Sequence, residues 1–137
     1  MPENKAFIDT NILIYAYNET YPDKRQKAQE AIERYESIIS TQVLNEFSNI
    51  SLYSLKTPHE EIISIIQEIM ESHIVAHVNV GTIIKAIFLQ KHYKYNYYDC
   101  MMLSSALSND CKIILSEDMQ HGQLIENKLT ILNPFIT

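Results

Sequence analysis

Four acidic residues stand where a folded chain would place a carboxylate only at some cost. Asp9 ends the apolar run Phe7-Ile8 and is followed by Thr10 and Asn11. Glu46 lies three residues after Val43 and four before Ile50, so on a helix it shares their face. Asp99 precedes Met102, Leu103 and Ala106 at helical spacing, at the edge of a buried stripe. Asp118 closes Ser116-Glu117-Asp118, just after the apolar Ile113-Ile114-Leu115. Singly, each has an ordinary structural role: a helix cap or turn for Asp9 and Asp118, a favourable N-terminal charge for Asp99, a rim residue reaching water or a Lys for Glu46. Together they point to one site. Gathered carboxylates repel and shift their pKa upward unless a cation lies between them. Oxygen ligands without a Cys or His cluster suit Mg²⁺ or Mn²⁺. Such an ion can lower the pKa of a bound water and offset charge on a phosphodiester during in-line attack.

The elements that must position these acids are short apolar strands alternating with longer helices. Strands are expected at Lys5 to Ile8, Ser37 to Ser40, Ile74 to Val78, Lys112 to Leu115 and Thr130 to Leu132. Helices are expected over Thr10 to Tyr17, Asp23 to Tyr35 behind Pro22, Thr41 (as N-cap) to about Lys56, a segment opened by Thr57-Pro58, Val80 to about Tyr93, and Tyr97 to Ser108. This alternation predicts a three-layer α/β/α sandwich with a central, mainly parallel sheet of about five strands, in one domain spanning residues 1–137. In a parallel sheet all carboxyl ends lie on one rim, so Asp9 and Asp118 are expected to meet there.

Composition removes several function classes. The chain has 137 residues, 46% hydrophobic, with 11 Lys+Arg against 17 Asp+Glu, for a formal net charge of −6. That argues against gripping nucleic acid by bulk charge. Its two glycines, Gly81 and Gly122, are far apart and cannot build a Walker-type loop or a dinucleotide fingerprint. Cys100 and Cys111 make neither a disulfide framework nor a metal spacing, and read as small buried apolar residues in a reducing, cytoplasmic setting. Met1 to Ala6 is polar, without a signal-peptide core, and no apolar run approaches membrane-spanning length. The histidines have no metal-ligand spacing.

Four stretches resemble the PIN-domain ribonucleases, in particular the small toxin-type members of toxin–antitoxin modules (VapC-like). They are Phe7-Ile8-Asp9-Thr10-Asn11, Ser40-Thr41-Gln42-Val43-Leu44-Asn45-Glu46-Phe47, Tyr98-Asp99, and Leu115-Ser116-Glu117-Asp118-Met119-Gln120-His121-Gly122. The resemblance spans nearly the whole chain. It implies metal-dependent endonucleolytic cleavage of RNA, with Mg²⁺ or Mn²⁺ and an acidic site of Asp9, Glu46, Asp99 and Asp118. Asp9 and Asp99 would touch the principal metal most directly. Glu46 would act through the metal or its water, and Asp118 would complete the site or hold a second metal. Thr10, Asn11 and Ser116 would be supporting polar residues at the substrate site. Glu117 is the acid without an assigned role. The resemblance also implies a homodimer and a small antitoxin that covers the acidic groove.

Other features qualify this. Lys91 to Tyr98 interleaves basic residues with four tyrosines, a pattern that can hold single-stranded RNA, with helix-end packing the plainer account. Lys24, Arg25 and Lys27 read as a solvated helix face. Apolar stripes on the helices from Val43 and from Pro58 exceed what one sheet face needs, which predicts a helix-mediated dimer. A haloacid-dehalogenase-like phosphatase would need an acid at Asn11, which cannot transfer a proton in that role. A receiver-like phosphoacceptor module would need an Asp at Ile39-Ser40 or Val75-Ala76. A non-catalytic PIN-fold binding module is the remaining alternative, and the presence of all four acids gives it no support.

Overall fold

The computed structural model describes residues 4–136; Met1 to Glu3, part of the polar N-terminal stretch, and Thr137 lie outside these residues. Ala6, Phe7 and Ile8 are fully buried. A strand apolar on both faces must be covered on both faces, and this strand, β1 (Lys5–Ile8), is central in the sheet. The other strands are β2 (Glu36–Ser40), β3 (Ile74–Ala76), β4 (Ile113–Leu115), β5 (Leu124–Ile125) and β6 (Leu129–Leu132). Their order across the sheet is β3-β2-β1-β4-β6-β5. Four pairings are parallel, with Phe7 opposite Ile38, Ile8 opposite Leu115, Ser40 opposite Ala76 and Leu115 opposite Leu132. Only β5 runs antiparallel, to β6.

The sheet has six strands, not the expected five. The extra strand, β5, spans only two residues and cannot show an alternating pattern. It is set by the turn at Glu126 and Asn127, whose φ angles of 52° and 56° are both left-handed, as a tight hairpin requires. Glu-Asn is a weak sequence signal for that turn beside Asn-Gly.

Among the described residues six helices flank the sheet: α1 (Thr10–Ala16), α2 (Pro22–Glu33), α3 (Thr41–Tyr53), α4 (His59–Ser72), α5 (Val80–Tyr93) and α6 (Tyr97–Ser108). Ser40, not Thr41, caps α3, its Oγ accepting from Val43 N at 3.3 Å. The Thr41 hydroxyl instead accepts from Val78 N at 3.2 Å, in the segment that leaves β3 two residues earlier than expected. Residues Cys100 to Ala106 of α6 are buried at every position, and the helix packs against β1, β2 and β4. A helix apolar all round is an interior helix, and this one carries Asp99 at its exposed first turn.

On α3, Val43 and Phe47 are consumed inside the fold, and the exposed apolar side chain is Tyr53 at its end. On α4, Ile62 and Ile69 face inward and leave Ile63 and Met70 outside. The larger unpartnered face belongs to α5. Its inner stripe is Thr82, Ala86 and Leu89, and Val80, Ile83, Ile84, Ile87 and Phe88 are exposed at helical spacing on the other side. Among the described residues no helix is long and apolar enough to cross a membrane.

Candidate active site

From β1 the chain winds through β2 to β3 on one side of the sheet, then returns to place β4 on the other side of β1. At such a switch point the flanking segments diverge and leave a crevice at the strands' carboxyl ends. Asp9 and Ser116 emerge there from β1 and β4. Pairing of the two strands continues into the site, because Asp9 N donates to the Leu115 carbonyl at 3.0 Å.

Asp9 is the N-cap of α1 and only 5% exposed. Its Oδ1 accepts from Thr10 N at 2.7 Å, and its Oδ2 accepts from Ser116 Oγ at 2.7 Å. Burial pushes this carboxyl up to about 7; the Ser116 and Thr10 hydrogen bonds oppose the rise, and the Asp99 and Glu46 carboxylates add to it. Thr10 also faces the other way, its Oγ1 donating to Glu46 Oε1 at 2.9 Å. The second Glu46 oxygen accepts from the buried Gln42 Nε2 at 2.9 Å. Asp99 is half-buried in the first turn of α6. Asn96 caps that helix by accepting from Asp99 N at 2.9 Å, and its Nδ2 donates back to Asp99 Oδ2 at 2.9 Å. Burial raises the Asp99 pKa, and the Asp118 and Glu46 carboxylates raise it further against the Asn96 hydrogen bond. Asp118 is exposed and accepts from Asn11 Nδ2 at 2.9 Å.

The structure thus brings Asp9, Glu46, Asp99 and Asp118 to one rim. Thr10, Asn11 and Ser116 each donate to one of these acids. Gln42 adds a second donor to Glu46 and Asn96 holds Asp99; the sequence alone singles out neither. Both left a signal: Gln42 is four residues before Glu46 on one helix face, and Asn96-x-x-Asp99 is a helix-start pattern.

Glu117 turns away from the rim. It pairs with Lys24 and accepts from the Tyr15 hydroxyl at 2.8 Å. The Lys24 ammonium also sits 4.6 Å from the Tyr15 ring centre and 5.0 Å from that of Phe135. Lys24 is therefore partly exposed but engaged, Arg25 reaches Glu19 at 3.3 Å, and Lys27 remains exposed. Glu117→Gln is expected to lower the unfolding free energy by about 1 kcal/mol or less, because the pair is partly solvated; a urea midpoint measures it. Two of the five histidines serve the scaffold: His73 Nδ1 lies 2.6 Å from Ser37 Oγ, and His121 Nδ1 accepts from Asn133 N at 2.9 Å.

The ion pairs among the described residues are Lys24–Glu117, Arg25–Glu19 and Lys85–Glu126, and none touches the four acids. The available donors are all oxygen, and the buried Asn11 Oδ1 has no hydrogen-bond partner. This chemistry fits a hard divalent cation. Among the described residues no three Asp, Glu, His or Cys side chains are drawn together tightly enough to hold an ion. Each carboxylate is turned to its own donor, which keeps the like charges apart. The rim is open. A cleft of about 300 Å³ between α1, α3 and α4, lined by Ile14, Tyr17, Arg25, Phe47 and Ile65 among others, contains none of the acids.

The family model of the PIN domain matches residues 6–124. The chain belongs to the PIN-domain family. A comparison with curated proteins finds no match. Among solved structures, a toxin–antitoxin complex from Klebsiella pneumoniae superposes with a TM-score of 0.70 at 17% identity, covering 95% of this chain and 98% of that one. VapBC2 from Rickettsia felis, bound to a fragment of promoter DNA, gives 0.68 at 15% identity over 94% and 99% of the two chains. The sarcin–ricin-loop-cleaving toxin VapC20 of Mycobacterium tuberculosis gives 0.66 at 16% identity over 82% and 89%. At these identities the likeness is one of fold. The acids of this PIN domain lie at the start of the matched segment (Asp9), in its middle (Glu46 and Asp99) and near its end (Asp118).

Proposed function

We propose that this PIN domain is a metal-dependent endoribonuclease and the toxin of a toxin–antitoxin pair. The observation that carries the reading is the rim itself: four carboxylates, one of them buried, at a sheet switch point, with no ion pair to any of them among the described residues. The family match and the toxin–antitoxin complexes of the same fold support it.

Asp9, Asp99 and Asp118 would hold Mg²⁺ or Mn²⁺. When bound, such an ion supplies positive charge that offsets the phosphodiester and makes water a better acid. Glu46, fixed at both oxygens by Thr10 and Gln42, is the acid oriented to accept the proton of the attacking water. Attack at phosphorus breaks the bond to the 3′-oxygen, which takes a proton from solvent water to leave as a 3′-hydroxyl, and the other fragment carries a 5′-phosphate. Ser116 and Thr10 N oppose the effect of burial on Asp9, and Asn11 and Asn96 aim Asp118 and Asp99. The test is cleavage of a labelled tRNA pool with Mg²⁺ or Mn²⁺, with EDTA, and with Asp9→Asn. Cleavage that survives both controls, or no cleavage together with no metal-induced rise in thermal stability, sinks the reading.

The partners are a small antitoxin and a second copy of the chain. The exposed stripe Val80, Ile83, Ile84, Ile87 and Phe88 on α5 is the surface for the second copy; a contiguous apolar patch of this kind marks an interaction site. Ile84→Glu with Phe88→Glu is expected to convert a dimer at micromolar concentration to monomer without unfolding it, since both side chains already face water. Light scattering that finds the wild type monomeric assigns the stripe to the antitoxin instead.

A further inference from the structure

The tyrosine-rich stretch between α5 and α6 divides into two groups. Tyr93 accepts from Glu126 N through its hydroxyl at 2.9 Å, and Tyr95 donates to Gln123 and accepts from Gln120 N at 3.0 Å. These two pin the loop that carries β5. Tyr97 is half-buried. Tyr98 is 63% exposed, and among the described residues its hydroxyl has no hydrogen-bond partner. An exposed tyrosine is unremarkable alone. The position of this one is not: it is the residue before Asp99, and its carbonyl accepts at 3.0 Å from the same Gln42 nitrogen that holds Glu46. The ring is braced from below by Tyr97, edge to face at 5.4 Å and 68°. An exposed aromatic ring thus sits on the residue beside Asp99, and the backbone of that residue is tied to the amide that holds Glu46.

The charge balance gives such a face a use. The acidic rim repels phosphates, and the chain carries a net −6. Affinity for a polyanion here must come partly from a contact indifferent to charge. Base–aromatic stacking is such a contact, and every base offers a π face. Lys91 and Lys94, exposed and outside the ion pairs of the described residues, stand nearby in sequence for the phosphates.

We propose that Tyr98 is a stacking platform that seats one unpaired RNA base beside the cleaved phosphate and so helps set which position is cut. This rests on the ribonuclease reading. The test uses the full chain and a short single-stranded RNA of mixed sequence carrying 2-aminopurine. Tyr98→Ala is expected to weaken binding by about 5- to 150-fold, the range for loss of one stacked base, and to abolish 2-aminopurine quenching. KM for cleavage rises by the same factor with kcat little changed, and the preferred cut site broadens. Tyr98→Phe retains both affinity and quenching. The slope of log affinity against log salt stays as in the wild type for Tyr98→Ala and becomes shallower for Lys94→Ala, because only the latter removes a phosphate contact. Tyr53→Ala, at an aromatic 74% exposed on the end of α3, changes none of these. If the wild type cleaves RNA while Tyr98→Ala binds and cuts as it does, the stacking role is wrong and the ribonuclease reading stands. Loss of dimer or antitoxin binding in Tyr98→Ala, with RNA quenching intact, assigns the ring to a protein contact and also overturns the proposal. If the wild type neither binds nor cleaves RNA, both fall.

Discussion

Asp9→Asn is expected to abolish RNA cleavage and, in EDTA at about pH 8, to make the protein more stable than the wild type. The two effects have one cause. Asp9 is buried, and that burial, aided by the neighbouring Asp99 and Glu46 and opposed by the Ser116 and Thr10 hydrogen bonds, pushes its carboxyl up to about 7. Above pH 7 the folded protein therefore carries an unfavourable charge that the unfolded chain, with its ordinary value of 3.8, carries freely. At about 1.4 kcal/mol for each tenfold change in proton affinity, the gap corresponds to roughly 4 kcal/mol at most. Asn removes the charge and keeps the shape. Its carbonyl can accept from Thr10 N, and its amide can donate to Ser116 Oγ. We expect a gain of about 1–3 kcal/mol in EDTA, read from a urea midpoint, since relaxation around the ion recovers part of the gap. The sign follows from proton counts: between about pH 4 and 7 the folded wild type holds a proton that the unfolded chain has lost. Its stability thus falls as pH rises through that window, and the advantage of Asn shrinks towards zero at about pH 4. The loss of cleavage should be at least about a thousandfold, the scale for removing a principal charged group from a catalytic site. An Asn variant that is inactive and also less stable in EDTA at high pH would mean that Asp9 is a structural cap rather than a strained site residue.

How far the sequence reveals this site depends on which residue is asked about. The four acids are visible because each interrupts an apolar pattern, and the sheet rule that gathers strand ends at one rim does the rest. Gln42 and Asn96 are harder, because a single amide beside a single acid is common and only the fold shows that both acids need a fixed orientation. The strand β5 is invisible in a two-residue segment whose turn is Glu-Asn. That miss spreads: Tyr93 and Tyr95 are committed to packing only because β5 brings Gln123 and Glu126 to them. Without β5 the four tyrosines look equivalent, and Tyr98 cannot be told apart. The α5 stripe fails for a different reason. The sequence offers two helical stripes, one of large residues (Ile83, Ile84, Ile87, Phe88) and one of Thr82, Ala86 and Leu89. Periodicity shows that stripes exist without saying which faces in. The smaller one does, and the larger is left outside.

Adding Mg²⁺ or Mn²⁺ to metal-free protein is expected to raise its melting temperature, by more at about pH 8 than at about pH 5.5, and to release protons at the lower pH. Saturation at a hundredfold excess over Kd stabilises the native state by about 2.7 kcal/mol, or roughly 10 °C for a chain of this size. The pH dependence follows from Asp9 and Asp99, both raised by burial and by neighbouring carboxylates. An ion can bind only their ionised forms, so below about 7 it competes with the proton on Asp9, and affinity falls as pH falls. At about pH 8 no proton stands in the way, and the ion compensates the buried charge, and the smaller repulsion between carboxylates, that lower metal-free stability there. The two pH profiles therefore run in opposite directions: stability in EDTA declines from about pH 4 to 7, whereas the increment added by the ion grows over the same range. Asp9→Asn should lose most of the increment. Glu117→Gln should keep it, because Glu117 is engaged with Lys24 and Tyr15 away from the rim. Calorimetry in two buffers of different ionisation enthalpy counts the released protons. An increment independent of pH, or one that survives in Asp9→Asn, would place the ion somewhere other than the rim around Asp9.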